Sequence, residues 1–204
     1  MPSWLAIRHA QSEWNAQARV QGQADPPLSA AGRAQARALA EQLALHSDLE
    51  LTRLVSSDLL RARQTAELVA ARLDLPLEIE AGLRERDFGA WSGLRHAQIR
   101  QRWPRDHARW RAGDASLRPG GGESQEALRR RVRDTLAALG RRHGSARIAL
   151  VTHRGVLGIL VPGAQPANAD GDLDEAAEHD GGEEIFDAVL GNEGNDDHSH
   201  GAGC

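Results

Sequence analysis

IALVTHRGVLGIL, residues 148–160, sets the architecture of the chain. Residues 148–152 are an unbroken apolar and β-branched run, the pattern of a strand buried on both faces. A polar pair, His153 and Arg154, interrupts it. The run from Gly155 then reads as a helix that Pro162 cuts short. A doubly buried strand feeding directly into a helix is the repeating unit of a parallel sheet covered on both sides.

The same grammar recurs outward from this stretch. LAIR, residues 5–8, is a short apolar run that ends on Arg8 and His9. LTRLVSS, 51–57, is strand-like, and Ser57 is positioned to cap the helix DLLRARQTAELVAARL that follows. In LPLEIE, 75–80, Leu75, Leu77 and Ile79 alternate, so a third strand is expected despite Pro76. From Ser29 a helical spacing joins Ala36, Leu39, Ala40 and Leu43; Ser124 opens another with Leu128, Val132, Leu136 and Leu139. PGGGES, 119–124, is a loop, and the polar, tryptophan-bearing segment 95–111 is expected to be helical and peripheral.

This alternation predicts an α/β fold, three-layer α/β/α with a mainly parallel central sheet. In such sheets ligands bind beyond the carboxyl ends of the strands. His9 follows the first strand, Arg61 lies near the start of the helix after the second, and His153 follows the strand 148–152. Three separate pieces of chain thereby send Arg8, His9, Arg61 and His153 to one edge. Taken singly, each also fits an ordinary surface cation or a hydrogen-bonded strand-end histidine.

The composition narrows the ligand. The chain has 204 residues, 25 basic side chains that are all arginine, no tyrosine, and one cysteine, Cys204. No disulfide framework can form within it. The opening MPSWLAIRHAQ lacks a basic region followed by an apolar stretch, so no secretory signal is expected, nor any membrane segment; a cytoplasmic protein is the expectation. Twelve of the 29 acidic residues lie from Asp170 onward, where there is no arginine, so the preceding body carries a formal charge of +8. A basic body suits an anionic ligand. The charge would fit nucleic acid too, but the arginines are scattered and few are interleaved with aromatics as a stacking surface requires, so no nucleic acid is expected. The expected organisation is a catalytic domain over 1–163 and an acidic, glycine-rich tail over 164–204, disordered or weakly helical. His198, His200, Asp196 and Asp197 read as part of that solvated tail and not as a metal site.

Guanidinium forks match phosphate geometry, and helix starts add backbone donors. Phosphoryl transfer without a metal needs a nucleophile, cationic support and a proton for the leaving group. Neutral imidazole can serve as the nucleophile. Glu85, in LRERDFGAWSG, is the candidate acid, although Arg84 and Arg86 beside it favour the ionised form. Its acid role therefore requires burial or the charge of a bound phosphate. Alone, a glutamate between two arginines is usually a surface ion-pair member. Trp14, Trp91, Trp103 and Trp110 read as core or pocket-wall residues, and the PGGGE turn lacks the Lys-Ser/Thr ending of a P-loop.

RHAQSEWN, QGQADPPLSAAG, SSDLLRARQTAEL, LRERDFGAWSG, PGGGES and VTHRGVL resemble, in this order, the motifs of the histidine phosphatase superfamily, the phosphoglycerate mutase-like proteins. The resemblance runs from Leu5 to about Leu160. It implies that His9 is the phosphorylated nucleophile, that Arg8 and Arg61 grip the phosphate, and that His153 stabilises the group in transfer. It further implies that Glu85 is proton donor and then base, and that Asn15, Gln21 and Gly22 contact phosphate or substrate. No cofactor and no metal are expected, and the expected partner is a small phosphorylated substrate, with a homodimer left open. The implied activity is metal-independent phosphomonoester hydrolysis through phosphohistidine. A phosphoglycerate mutase is the first alternative, though only a short segment separates Glu85 from Pro119 where mutases usually carry an insertion. A phospholigand-binding protein with little turnover is the second. Three departures stand out: Ala10 in RHA, Arg154 where glycine is frequent, and the acidic tail, which either covers the basic body or replaces an ordinary C-terminus.

Overall fold

The structure, a computed structural model, describes residues 3–160 and 189–191. β1 (Ser3–Arg8), β2 (Arg53–Ser56), β3 (Leu77–Ile79), β4 (Arg147–Thr152) and β5 (Val189–Gly191) form one sheet in the order β3-β2-β4-β1-β5. The first four are mutually parallel where they pair; β5 runs antiparallel to β1. Seven α-helices are described: α1 (Glu13–Ala16), α2 (Ala30–Leu45), α3 (Leu60–Leu73), α4 (His96–Arg102), α5 (Pro104–Arg111), α6 (Gln125–His143) and α7 (Arg154–Leu160).

Strict alternation inside the apolar runs feeds two cores. Leu5, Ile7, Leu54, Ala149 and Val151 face a layer that includes Leu39 and Leu43 of α2 and Ala62 and Val69 of α3. Val55, Ile148 and Leu150 face Leu128, Val132 and Leu139 of α6 and Val156 of α7. The run 148–152 is continuously apolar because both of its faces are covered. The expected three-layer α/β/α architecture is the one observed.

Serine caps fix where the main helices begin. Ser29 Oγ accepts the Gly32 N–H at 2.9 Å and Ser124 Oγ accepts the Ala127 N–H at 3.1 Å, each contributing about 1 kcal/mol. Ser57 does not cap α3, which starts at Leu60 with Leu59 at the cap position and no side-chain cap. Two residues separate Ser57 from the helix, and its hydroxyl is taken up elsewhere. The third strand begins at Leu77, not Leu75; Pro76 has no N–H, and its carbonyl accepts from Leu54 at 2.9 Å. The segment 95–111 is two helices instead of one, broken where Trp103 precedes Pro104.

A third cluster lies outside the sheet sandwich. Trp91, Ile99, Trp110 and Leu117 are buried together, with Trp103 packed against them. The PGGGE turn abuts it: a Cβ on Gly122 would meet the Asp87 carbonyl oxygen at 2.2 Å, and Gly120 has φ +57°. Close backbone approach explains these glycines. Of the acidic tail, the described residues are those of β5, an edge strand where weak helix was the expectation; the rest of 164–204, with its histidines, and Pro162 lie outside the described residues. Among the described residues no helix is long and apolar enough to cross a membrane.

Candidate active site

The register of the two central strands builds the site. β1 and β4 pair Arg8 with Thr152, so the next residue of each, His9 and His153, leaves the sheet side by side. The His9 N–H continues the ladder to Thr152 O at 3.0 Å. The ring centroids of the two histidines are 5.0 Å apart.

The loop after His9 is held from several sides. Ala10 N–H donates to Thr65 Oγ1 of α3 at 3.1 Å, and Gln11 N–H donates to Gln35 Oε1 of α2 at 3.0 Å. Gly32 packs onto the same loop so closely that a Cβ there would lie 1.9 Å from the Gln11 carbonyl oxygen. Sheet and helices together leave the His9 backbone little freedom.

The imidazole itself has a defined proton. Nδ1 lies 2.7 Å from the Ala10 carbonyl oxygen, which can only accept, so Nδ1 carries the hydrogen and Nε2 the lone pair. Arg61 Nε–H donates to that Nε2 at 3.2 Å. Burial, then the Arg61 and Arg8 guanidiniums, hold His9 well below the usual histidine range, against the raising effect of the Ala10 hydrogen bond. The ring is therefore neutral at neutral pH.

Arg61 is almost wholly buried, at 1% exposure. Its Nη1 and Nη2 donate to the carbonyls of Ala24 and Gly22, both at 2.8 Å. Burial lowers its pKa to about 10, opposed by the carboxylates of Glu85 and Asp25, so it stays cationic. His153 lies deeper, fully buried, with Nε2 2.8 Å from Ser57 Oγ. Its Nδ1 has no partner among the described residues. Burial, followed by His9, Arg61, Arg131 and Arg8, keeps this ring neutral too.

Glu85 faces the same space from the loop after β3. Its Oε1 accepts the Arg86 N–H at 2.7 Å and its Oε2 accepts the Gly155 N–H at 3.1 Å. The flanking arginines turn elsewhere. Arg84 is paired with Asp58, Nε to Oδ1 at 2.8 Å, and Arg86 donates to the carbonyls of Glu123 and Leu117. Arg131 of α6 holds the loop, donating to the carbonyls of Gly82 and Arg84 at 2.8 and 2.9 Å.

Arg8, His9, Asn15, Gln21, Gly22, Arg61 and Glu85 all line one cavity of about 500 Å³; His153 does not line it and is buried with its ring centroid 5.0 Å from that of His9. Asn15 Oδ1 accepts the Ser12 N–H at 3.0 Å, and Gln21 Oε1 lies 2.6 Å from Ser12 Oγ. Trp110 forms part of the wall and Trp91 lies buried behind it. An anion seated over His9 would meet guanidiniums on its flanks, a lone pair in front and a carboxyl group beside it. Among the described residues no group of three or more His, Cys, Asp and Glu is arranged to hold a metal ion. Ser57, Thr65, Arg131 and Gly155 went unassigned in the sequence. Nothing sets Arg131 apart within the run Arg129 to Arg133, and Ser57 looked like a cap.

The sequence model of the histidine phosphatase superfamily (branch 1) matches residues 4–172. A glucosyl-3-phosphoglycerate phosphatase of Mycobacterium tuberculosis is 38% identical over 164 residues, covering 76% of this chain and 72% of the relative. A metal-independent phosphoserine phosphatase of Arabidopsis thaliana is 34% identical over 171 residues, covering 83% and 71%. A solved mycobacterial glucosyl-3-phosphoglycerate phosphatase complexed with VO3 superposes with a TM-score of 0.71 at 36% identity, covering 78% of this chain and 80% of that one. The chain belongs to the histidine phosphatase superfamily. Within it, the similarity to these hydrolases makes the protein a phosphatase.

Two outcomes follow from the local geometry. A Cβ on Gly155 would meet Glu85 Oε1 at 2.2 Å, so Gly155→Ala should displace the carboxyl group and lower kcat by about 10²-fold. The Glu85 loop stays tied to α6 through Arg131, so the variant should still fold, which circular dichroism checks. An unchanged kcat would refute the positioning role. The second outcome concerns acid. His9 and His153 refuse protons that the unfolded chain takes up below about pH 6.5, so stability should fall as pH drops from 7.5 to 5.5, by up to about 1.4 kcal/mol per pH unit for each ring. Urea unfolding at both pH values measures it, and a midpoint that stays level or rises contradicts it.

Proposed function

We propose that this phosphatase hydrolyses small phosphomonoesters through a phosphohistidine at His9. The observation that carries the reading is the 2.7 Å contact from His9 Nδ1 to the Ala10 carbonyl, which leaves the lone pair on Nε2. With a phosphate seated, Arg61 Nε–H turns from Nε2 to a phosphate oxygen; Nε2 attacks phosphorus, the ester P–O bond breaks, and Glu85 in its acid form gives its proton to the departing oxygen. Arg61 and Arg8 carry the charge on the equatorial oxygens. Glu85, now a carboxylate, takes a proton from water as that water attacks phosphorus; the P–N bond breaks and inorganic phosphate leaves. The cycle restores neutral His9 and protonated Glu85.

A cavity of about 500 Å³ supports a substrate of metabolite size. The names of the relatives, which act on glucosyl-3-phosphoglycerate and phosphoserine, support small phosphorylated metabolites. The sequence-level domain division, with the catalytic unit over 1–163, and a cytoplasmic setting belong to the same reading; a single cysteine supports the latter.

The reading is tested by phosphate release from a panel of phosphomonoesters, with and without a metal chelator. Turnover that persists in chelator supports it; isomerised phosphoglycerate without released phosphate would replace it with a mutase. Glu85→Gln tests the proton. Alkyl esters, with poor leaving groups, should slow by about 10²–10⁴-fold, and activated aryl phosphates far less. Equal slowing of both classes would remove Glu85 from the acid role.

A further inference from the structure

The turn PGGGES, residues 119–124, lies against the loop that carries Glu85. The Glu123 N–H donates to the Asp87 carbonyl at 2.8 Å, and the Glu123 carbonyl accepts from Arg86 Nε at 2.8 Å. The Glu123 side chain goes to Arg131 of α6. Its Oε1 accepts from Nε at 3.0 Å and its Oε2 from Nη2 at 2.7 Å, the bidentate geometry in which carboxylate and guanidinium match.

The rest of the Arg131 guanidinium faces the Glu85 loop. Nη1 donates to the carbonyls of Gly82 and Arg84, and Nη2 to that of Glu85 at 3.3 Å. Five bonds thus occupy its five N–H donors. The pair is sheltered: the side chains of Arg131 and Glu123 are 24% and 16% exposed, against 46% and 64% for the surface pair Arg72 and Glu41. Removing one partner of a sheltered pair leaves the other without its counter-charge, so both members are needed. Neither Arg131 nor Glu123 lines the cavity.

We propose that the Glu123–Arg131 pair positions the Glu85 carboxyl group against the leaving oxygen, acting on the reaction only through Glu85. The proposal rests on the reading of Glu85 as proton donor and adds what holds it in place. The carboxyl group is fixed at its outer end by the N–H groups of Arg86 and Gly155, and the clamp fixes the backbone from which it projects. A proton donor works only within hydrogen-bond reach of the oxygen it serves, and a small displacement is expensive. Arg8 and Arg61 hold the phosphate from other elements, β1 and α3. Loosening the clamp should therefore cost proton transfer and spare phosphate binding.

The experiment compares an alkyl phosphate, whose leaving oxygen needs a proton, with p-nitrophenyl phosphate, whose leaving oxygen hardly does. The quantity is kcat/KM, which reports formation of the phosphohistidine. Arg131→Met removes every donor, Arg131→Lys keeps the charge without the fork, and Glu123→Gln keeps the size without the charge. The alkyl ester should slow about 10²-fold in Arg131→Met and about tenfold in the other two, and the aryl ester no more than about threefold. Inhibition by inorganic phosphate should stay within about twofold. Glu41→Gln breaks the exposed pair with Arg72 and should leave the alkyl-to-aryl ratio within about twofold. Should Arg131→Met fail to fold, the two milder variants decide. Amide hydrogen exchange by NMR is the second readout. The Arg86 and Gly155 N–H groups both rest on the Glu85 carboxyl group, so both should exchange about tenfold faster in Arg131→Lys and Glu123→Gln but not in Glu41→Gln. Equal slowing of the two esters, while Glu85→Gln still discriminates between them, overturns the proposal, and so does unchanged exchange. If Glu85→Gln itself slows both esters equally, the acid role fails and exchange alone judges the clamp: faster exchange upholds it, unchanged exchange overturns it.

Discussion

His9→Ala is expected to lower kcat/KM by three or more orders of magnitude and to abolish acid-labile phosphate incorporation. The size follows from what is removed. A covalent route loses its nucleophile outright, and the residual rate comes from binding and electrostatics alone. The fold should survive, because the His9 N–H still donates to Thr152 O and the loop stays tied to Thr65 and Gln35. The measurement pairs rapid quench of the wild type, using a phosphate-labelled ester, with the same assay on the variant and a circular dichroism spectrum of each. Label trapped on the wild type but not on a folded variant is the expected pattern. A folded His9→Ala enzyme with near wild-type turnover, or a wild type that releases phosphate with label trapped equally in the variant, would mean the phosphoryl group never sits on His9.

The sheet was readable because burial leaves a periodic signature. Leu54 and Val55, or Ile148 and Ala149, alternate between the two cores, and a strand buried on both faces needs apolar residues at every position. The parallel register then follows from the intervening helices, and it alone brings residues 9 and 153 together across 144 positions of sequence. Element boundaries were less readable. Ser57 has the side chain of a cap, but the chain makes a turn before α3; its Oγ accepts the Leu59 N–H at 3.3 Å and lies 2.8 Å from His153 Nε2. Competition between local capping and a tertiary hydrogen bond cannot be resolved from composition. The same holds for Glu85. Its neighbours in sequence suggested two guanidiniums beside the carboxyl group, and the structure gives Arg84 to Asp58 and Arg86 to backbone carbonyls. What touches its carboxyl group is backbone: the N–H of Arg86 beside it and the N–H of Gly155, 70 residues away, which no local pattern announces.

Arg61 joins the fold and the site, so its removal should damage both in separable ways. Arg61→Ala strips the donors from the Gly22 and Ala24 carbonyls. Losing the donor to a buried acceptor costs about 1–3 kcal/mol, so a loss of roughly 2–4 kcal/mol is expected with some relaxation of the loop. Activity should fall by about 10³-fold, since the charge facing the transferring phosphoryl group goes too. Arg61→Lys restores charge without the planar fork. A single ammonium cannot serve His9 Nε2 and two carbonyls in the directions the guanidinium does, so stability should return in part and activity less. His9 supplies an independent readout. Arg61 is the largest electrostatic cause of its lowered pKa after burial, so in Arg61→Ala the His9 imidazole should titrate at higher pH, followed by NMR. Urea unfolding, kcat/KM and that titration together distinguish the roles. A variant as stable as the wild type would mean the loop carbonyls find water without cost, and an unmoved His9 titration would mean the guanidinium does not act on the ring it touches.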